Sequence, residues 1–154
     1  MRQSLNLAVL GIDHGHIFDM LDEMIKEGCN CNHFWTKGSP LTLKEFNQKY
    51  PNIKRVENKS EILENDKIDM ILISSIPKDR ANLSIEALKS GKDVMVDKPG
   101  CTSLDQLDNL KQAVKETGKI WSVNFSERFH VAAVAKAEEL VAEGKIGKVK
   151  QTMG

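Results

Sequence analysis

The stretch that decides the fold is IDMILISSIPKDRANLSIEALKSGKDVMVDKP, residues 68–99. It begins with an apolar run over 68–76, and helical spacing follows over 80–90 up to Gly91. A second, shorter apolar run covers 93–96. Apolar runs of this length favour strands that are buried on both faces. A strand, a helix and another strand in this order predict two parallel strands joined by a right-handed crossover.

The same alternation continues on both sides of this unit. We predict further strands at 5–12, 29–36, 53–56 and 120–125, and helical segments at 17–27, 41–50, 61–64, 104–117 and 131–143. Ser103 and Gln106 have the spacing of a capping box at the start of one of these helices. Six strands, each followed by a helical segment, predict an α/β protein with a doubly wound parallel sheet in three layers.

Composition excludes several classes of protein. The 154 residues are 40% hydrophobic and 29% charged, with 22 basic and 22 acidic side chains. A balanced charge argues against nucleic acid or an anionic membrane as a partner, and no apolar run is long enough to span a bilayer. Three cysteines provide no disulfide framework, so a reducing cytoplasm is the expected location.

Ligands of a doubly wound sheet bind beyond the carboxyl ends of its strands, so the turns there carry the candidate residues. The first turn contains Gly11, Asp13, His14, Gly15 and His16. A dinucleotide fingerprint would place three glycines in this turn, but only Gly11 is in register. At ~4 Å, Asp13 would repel a phosphate charge by about 4 kcal/mol at an effective dielectric near 20. Alternatively, Asp13 faces away and caps the following helix.

The end of the second strand is the usual position of an acid that holds the ribose hydroxyls. Thr36 and Lys37 stand there instead. A lysine suits a 2′-phosphate and therefore favours NADP over NAD. The alternative is a solvated surface lysine with no ligand.

Cys29, Cys31 and His33 alternate along the same strand, and His14 and His16 follow the first strand. One interpretation is a metal site built from these residues, because cysteine and histidine are the usual zinc ligands. Cysteines are also common as ordinary buried residues of strands, and the sequence assigns no metal.

The fifth strand leads into Asp97-Lys98-Pro99 at the same edge of the sheet. A lysine held there would donate to a substrate hydroxyl or carbonyl oxygen and stabilise developing negative charge. The alternative is an exposed lysine on the surface.

Three segments carry a resemblance to a known family: Ile71-Leu-Ile-Ser-Ser-Ile-Pro77, the run from Ala87 to Pro99, and Val123-Asn-Phe-Ser-Glu-Arg-Phe129. With Gly144-Lys-Ile-Gly-Lys-Val149 they resemble the Gfo/Idh/MocA oxidoreductases. The family pattern is an apolar strand ending in Thr-Pro, a helix, an Ala-Gly-Lys turn, a strand and Glu-Lys-Pro. Asp97 replaces the family's Glu, and Arg80 falls where many members have His.

The resemblance implies a Rossmann-type sheet of order 3-2-1-4-5-6 over residues 1–143. It implies that residues 144–154 connect to a second domain, so the chain alone is not expected to turn over substrate. Nicotinamide is expected near Lys98, the candidate catalytic residue, and the Lys98-Pro99 peptide is expected to be cis. The cofactor-binding set from turns and resemblance is Gly11, Asp13, His14, Gly15, His16, Thr36, Lys37, Ser74, Ser75, Pro77, Asp97, Lys98 and Asn124.

The leading hypothesis is therefore the nucleotide-binding domain of an NAD(P)-dependent oxidoreductase that acts on a sugar, polyol or related small hydroxyl compound. A homo-oligomer is a candidate assembly of this protein. A second hypothesis is a non-catalytic Rossmann-like binding or assembly module that has lost its dinucleotide. A third is a metal-binding domain that uses Cys29, Cys31 and His33.

Overall fold

A computed structural model describes residues 4–126 and 131–152, and the chain forms two compact units, Met1–Asn124 and Phe125–Gly154. The first unit contains a six-stranded parallel sheet of order β3-β2-β1-β4-β5-β6, which confirms the expected order. Its strands are β1 (Asn6–Leu10), β2 (Asn30–Trp35), β3 (Lys54–Arg55), β4 (Met70–Ile73), β5 (Asp93–Asp97) and β6 (Trp121–Asn124).

The helices of the first unit follow the strands in alternation. They are α1 (His16–Lys26), α2 (Leu43–Lys49), α3 (Ser60–Leu63), α4 (Pro77–Lys89) and α5 (Leu104–Thr117). The predicted fourth strand is too long, because β4 ends at Ile73 and proline occupies the first turn of α4. Proline suits that position because its missing N–H would have no helical partner there. Residues 74–76 are consequently a loop at the edge of the sheet.

Both faces of the sheet are covered, because neighbouring residues of each strand point to opposite sides. Leu7 and Val9 of β1 belong to an apolar cluster with residues of α1 and α2. Ala8 and Leu10 belong to a second cluster with residues of α3, α4 and α5. The result is the expected three-layer arrangement of helices, sheet and helices.

The second unit contains one described helix, α6 (Ala132–Ala142). Val134 and Val141 of this helix are exposed. Arg128 and Phe129, which carry part of the family resemblance, lie outside the described residues. The domain boundary expected at residue 143 stays a prediction. Among residues 4–126 and 131–152, no helix is long and apolar enough to cross a membrane.

Candidate functional site

The strand order reverses between β1 and β4, and a cavity of about 290 Å³ lies at the carboxyl ends of these strands. The reversal separates the loops that follow the two strands, which is where doubly wound sheets bind their ligands. Six of the residues lining the cavity come from the end of β2 or from the turns after β1, β2 and β4: Gly11, Asp13, Trp35, Lys37, Ser75 and Ile76.

Gly11 brings the turn after β1 against the turn after β4. Its φ is 82°, and a Cβ added to it would lie 2.5 Å from the Cβ of Ser75. The Ser74 N–H donates to the Gly11 carbonyl at 3.1 Å, and the His14 N–H donates to the Ser74 carbonyl at 3.1 Å. The hydroxyl of Ser74 donates to the His14 carbonyl at 3.1 Å. This position requires glycine because both the positive φ and the close approach exclude a side chain.

Asp13 lies in the cavity rather than at the start of α1. The N-cap of α1 is Gly15, and no side chain of the described residues caps this helix, so the expectation that Asp13 caps it is wrong. Burial raises the pKa of the Asp13 carboxyl, while backbone N–H groups of Asp13 and Ile76 act to lower it. The carboxylate faces the start of α4 instead of α1, because the Gly11–Ser74 contact brings the two turns together.

The turn after β2 presents Lys37 at the other side of the cavity. Lys37 is exposed, and no carboxylate precedes it in this turn. Arg55 holds the turn in place, because its Nη2 donates to the carbonyls of Thr36 at 3.0 Å and Gly38 at 2.7 Å. Thr36 is buried, and among the described residues its Oγ1 has no hydrogen-bond partner. A buried hydroxyl in this state is unusual. Thr36 is not among the residues that line the cavity.

Sequence reasoning missed part of the cavity lining. Lys59 pairs with Glu86 at 2.5 Å and lies 6.0 Å from the ring centre of Trp35. Both residues of the pair line the cavity. The ion pair joins the start of α3 to α4. Its two residues are 27 positions apart in the sequence, so no local sequence pattern predicts the contact.

Asp97, at the end of β5, is fully buried and paired with Arg80. The Nη2 of Arg80 donates to Oδ2 of Asp97 at 2.8 Å, and its Nε donates to the Ser75 carbonyl at 2.7 Å. Its Nη1 donates to the carbonyls of Asp97 and Lys98. Arg80 therefore clamps the loops after β4 and β5 together, a role that the sequence did not indicate.

His14 and His16 lie close to the same carboxylate, His16 at Oδ1 and His14 at the Oδ2 that Arg80 contacts. The Nδ1 of His16 donates to Oδ1 of Asp97 at 2.8 Å, and the Nδ1 of His14 lies 3.4 Å from Oδ2. The backbone N–H of His16 donates to the Nδ1 of His14 at 3.2 Å. The two contacts of His14 make opposite demands on its Nδ1. The contact with the His16 N–H uses the Nδ1 lone pair, whereas the approach to the Asp97 carboxylate requires a proton or a cation at Nδ1.

Lys98 lies next to this cluster at the carboxyl edge of the sheet. It is half-buried, and the Lys98-Pro99 peptide is cis, as expected. Asp97 is in register with Asn124, so the predicted Asn124 also ends its strand at this edge. Pro77 is exposed in the first turn of α4.

The proposed cysteine and histidine ligands do not come together. Within residues 4–126 and 131–152, the only group of three potential metal ligands is His14, His16 and Asp97, so the third hypothesis is wrong. A register shift in the β1–β2 pairing interrupts the simple alternation on which it depended. Burial also raises the pKa of the Cys31 thiol to about 12, which disfavours the thiolate that a metal would need.

A parallel sheet of this order, with a glycine turn after its first strand and a cavity at its switch point, defines a nucleotide-binding protein of the Rossmann type. The comparisons with known proteins agree. Residues 24–125 match the sequence profile described as "Oxidoreductase family, NAD-binding Rossmann fold" (GFO_IDH_MocA). The chain belongs to this family.

Relatives of the chain include two inositol dehydrogenases. The chain is 36% identical over 92 residues to scyllo-inositol 2-dehydrogenase (NAD(+)) of Bacillus subtilis, a match covering 60% of this chain and 27% of that protein. It is 28% identical over 106 residues to myo-inositol 2-dehydrogenase of Thermotoga maritima, covering 69% of this chain and 31% of that protein.

Among solved structures, a protein from Erwinia carotovora atroseptica superposes with a TM-score of 0.88 at 34% identity, covering 95% of this chain and 44% of that one. Myo-inositol 2-dehydrogenase from Lactobacillus plantarum, at 19% identity, superposes with a TM-score of 0.78 over 96% of this chain and 43% of that one. The chain thus spans less than half the length of the relatives it matches.

Proposed function

We propose that the chain is the dinucleotide-binding part of an NAD(P)-dependent dehydrogenase that acts on a sugar, polyol or related small hydroxyl compound. The observation that carries this proposal is the cavity at the switch point, where Gly11, Lys37 and Ser75 converge from three separate turns. Membership of the family and the names of the two inositol dehydrogenases support the reaction class and the substrate class.

The cavity fits the adenosine end of a dinucleotide in its chemistry. Trp35 offers an apolar ring, and Lys37 supplies a cation. A bound nicotinamide would supply hydride transfer to or from the substrate carbon. Lys98 would orient the substrate oxygen and stabilise the charge that develops on it.

We further propose that NADP is preferred over NAD. A 2′-phosphate needs a cation at the end of β2, whereas a free ribose hydroxyl is usually held by a carboxylate there. Lys37 occupies this turn, and Arg55 holds the turn's carbonyls within hydrogen-bond distance. Of the other basic groups near the cavity, Lys59 is already paired with Glu86.

The proposal is tested by titrating the protein with NADPH and NADH. In Lys37→Asp, we expect the ratio of NADP affinity to NAD affinity to fall by about tenfold or more, since a lysine–phosphate contact is lost and a repulsion is added. Lys44→Asp is a matched control, because Lys44 belongs to α2 and does not line the cavity. An unchanged ratio in Lys37→Asp would show that Lys37 does not read the 2′-phosphate.

A second candidate function is a Rossmann-like module without a dinucleotide. The observation in its favour is Asp13, a carboxylate in the cavity where the fingerprint has glycine. Quenching of Trp35 fluorescence during NADPH titration separates the two candidates. Saturable quenching that disappears in Trp35→Phe supports the dehydrogenase, whereas no response up to millimolar NADPH and NADH supports the module.

A further inference from the structure

Three potential metal ligands converge where β5 ends and α1 begins. A ring nitrogen of His14, a ring nitrogen of His16 and a carboxylate oxygen of Asp97 all lie within 4.8 Å of one another. We propose that these three side chains bind a divalent transition-metal cation such as Zn²⁺. The site is independent of the proposed dehydrogenase activity, because it rests only on the positions and chemistry of these residues.

The distances are close to those of a zinc site. Ligand atoms that lie about 2.0–2.2 Å from zinc at tetrahedral angles are about 3.3–3.5 Å apart. The Nδ1 of His14 and Oδ2 of Asp97 are 3.4 Å apart, while the Nδ1 of His16 and Oδ1 of Asp97 are 2.8 Å apart. The His16–Asp97 pair has to separate by roughly 0.5 Å, and the ligand nitrogens of the two histidines, which lie within 4.8 Å of each other, have to reach the same spacing.

Asp97 is held as an oriented carboxylate ligand. Its side chain is fully buried, and Arg80 fixes Oδ2 at 2.8 Å. Oδ1 lies 2.8 Å from the Nδ1 of His16, and Oδ2 lies 3.4 Å from the Nδ1 of His14. The two imidazole side chains are 27% exposed for His16 and 51% exposed for His14. The exposed imidazoles leave an approach from solvent, while the buried carboxylate cannot turn away.

The ligand types select among metals. Two imidazole nitrogens and one carboxylate suit Zn²⁺, Ni²⁺ or Cu²⁺, whereas Mg²⁺ and Ca²⁺ prefer sites made entirely of oxygen. The guanidinium of Arg80 opposes a further cation, and its charge is partly offset by Asp97 and by the main-chain carbonyls that it contacts. The site therefore depends on strong nitrogen donors rather than on charge alone.

A cation also resolves the conflict at His14. Its Nδ1 accepts from the His16 N–H at 3.2 Å and yet faces a carboxylate oxygen at 3.4 Å. A metal ion bound to the Nδ1 lone pair would attract the carboxylate, and it would replace the His16 N–H as the partner of that lone pair. His16 donates a proton from Nδ1 in the metal-free arrangement, and on binding this proton moves to Nε2, so that a neutral imidazole binds the metal without net proton release.

Three protein ligands leave at least one coordination position open in a tetrahedral site. This position lies at the start of α1, where a Rossmann domain meets the pyrophosphate of its cofactor. Under the proposed function, a phosphate oxygen fills the open position. The cation then offsets the charge of Asp13, which would otherwise repel the phosphate.

The metal site is tested by calorimetric titration of the chelator-treated chain with Zn²⁺. We expect one equivalent to bind saturably and the affinity to fall roughly tenfold or more in His14→Ala and in His16→Ala. Both substitutions are at partly exposed side chains, so the variants are expected to remain folded. His33→Ala is the matched control and should bind as the unaltered chain does. Absence of saturable binding, or affinity unchanged in both histidine variants, would overturn the proposal.

Two further measurements identify the ligands and the role of the site. Co²⁺ should give a visible absorption spectrum without a thiolate-to-metal band, and such a band would overturn the assignment by implicating a cysteine.

Zn²⁺ should tighten NADPH binding in the unaltered chain but not in His14→Ala. If NADPH binds with the same affinity in the presence of Zn²⁺ and in the presence of a chelator, the proposed contact between metal and phosphate is wrong. The metal site itself is not contradicted by that result. Failure to bind NADPH in both conditions contradicts the proposed function, while the Zn²⁺ titration still decides the metal site.

Discussion

Gly11 shows how one residue sets the geometry of the cavity. Its positive φ and its contact with Ser75 allow the turns after β1 and β4 to form hydrogen bonds with each other. These turns belong to the two strands that flank the reversal in strand order. A side chain at Gly11 would separate them and disturb the cavity.

We predict that Gly11→Ala lowers the free energy of unfolding by about 2–4 kcal/mol, since it adds a strained φ to an overlap with Ser75. Urea denaturation measures this effect. Gly15→Ala is the control, because Gly15 has a φ of −63° and a Cβ added to it would meet no atom of the described part of the chain within 4 Å. We expect its effect to stay within about 0.5 kcal/mol. Equal losses in the two variants would contradict the argument.

Arg80 is the second residue with an effect beyond its own position. It is 1% exposed, and its three nitrogens donate to Ser75 in the loop after β4 and to Asp97 at the end of β5. A buried ion pair is weak evidence for stability, because the desolvation cost offsets much of its attraction. The more specific effect of Arg80 is geometric, because Arg80 fixes the positions of the Asp97 carboxylate and of the backbone that carries Lys98.

At the scale of elements, a polar contact joins α1 to the end of α2. Asp22 of α1 accepts from Lys49 at 2.5 Å and from the Tyr50 hydroxyl at 2.8 Å. Burial raises the pKa of Asp22, but the hydrogen bonds from Lys49 and Tyr50 outweigh it and lower the pKa below its ordinary value of 3.8. The ionised form of Asp22 is therefore favoured in the folded protein.

This shift predicts a pH dependence of stability. A carboxyl with a lowered pKa stabilises the folded state above its unfolded pKa of about 3.8, and this contribution is lost as the pH falls through the folded value. We expect Asp22→Asn to be less stable than the unaltered chain at about pH 6, with the difference shrinking below pH ~3.8. Asp19→Asn is the control, because it removes one charge from the same helix and leaves the Asp22 contacts intact. A difference that is constant across this range would refute the linkage.

The start of α5 shows a capping box in a modified form. Ser103 accepts from the Gln106 N–H at 3.2 Å, as its spacing predicts. The Gln106 side chain accepts from the Thr102 N–H at 2.7 Å instead of from Ser103. The first half of the motif is local to the helix and follows from the sequence, whereas the second depends on the path of the chain before the helix.

At the scale of the whole molecule, the proposed function predicts ligand-dependent stability. A ligand that binds only the folded state raises the free energy of unfolding by about 2.7 kcal/mol at a concentration of about 100 Kd. The midpoint temperature of thermal unfolding should therefore rise when NADPH is added. At the same NADPH concentration, the rise should be smaller in Lys37→Asp. Lys44→Asp should respond as the unaltered chain does. No shift with either dinucleotide at millimolar concentration would favour the module without a cofactor.

Much of the fold was predictable from the sequence because the signals are local. Apolar runs, helical spacing and glycine or proline at element ends predict the strands and helices within a few residues, and the alternation of elements predicts a parallel sheet. The position of Gly11, Lys37, Ser75 and Lys98 at one edge follows, since parallel strands share their carboxyl edge. The strand order and the cis peptide at Lys98-Pro99 came from the family resemblance and are confirmed.

Only the tertiary structure decided which side chains meet at that edge. Asp13 faces the cavity rather than the start of α1. β4 ends at Ile73, so that Ser75 in the following turn contacts Gly11. The contact between His16 and Asp97 joins residues that are 81 positions apart. No periodicity encodes such a contact, because it arises from the register of neighbouring strands and from the packing of α4, which brings Arg80 against the same carboxylate.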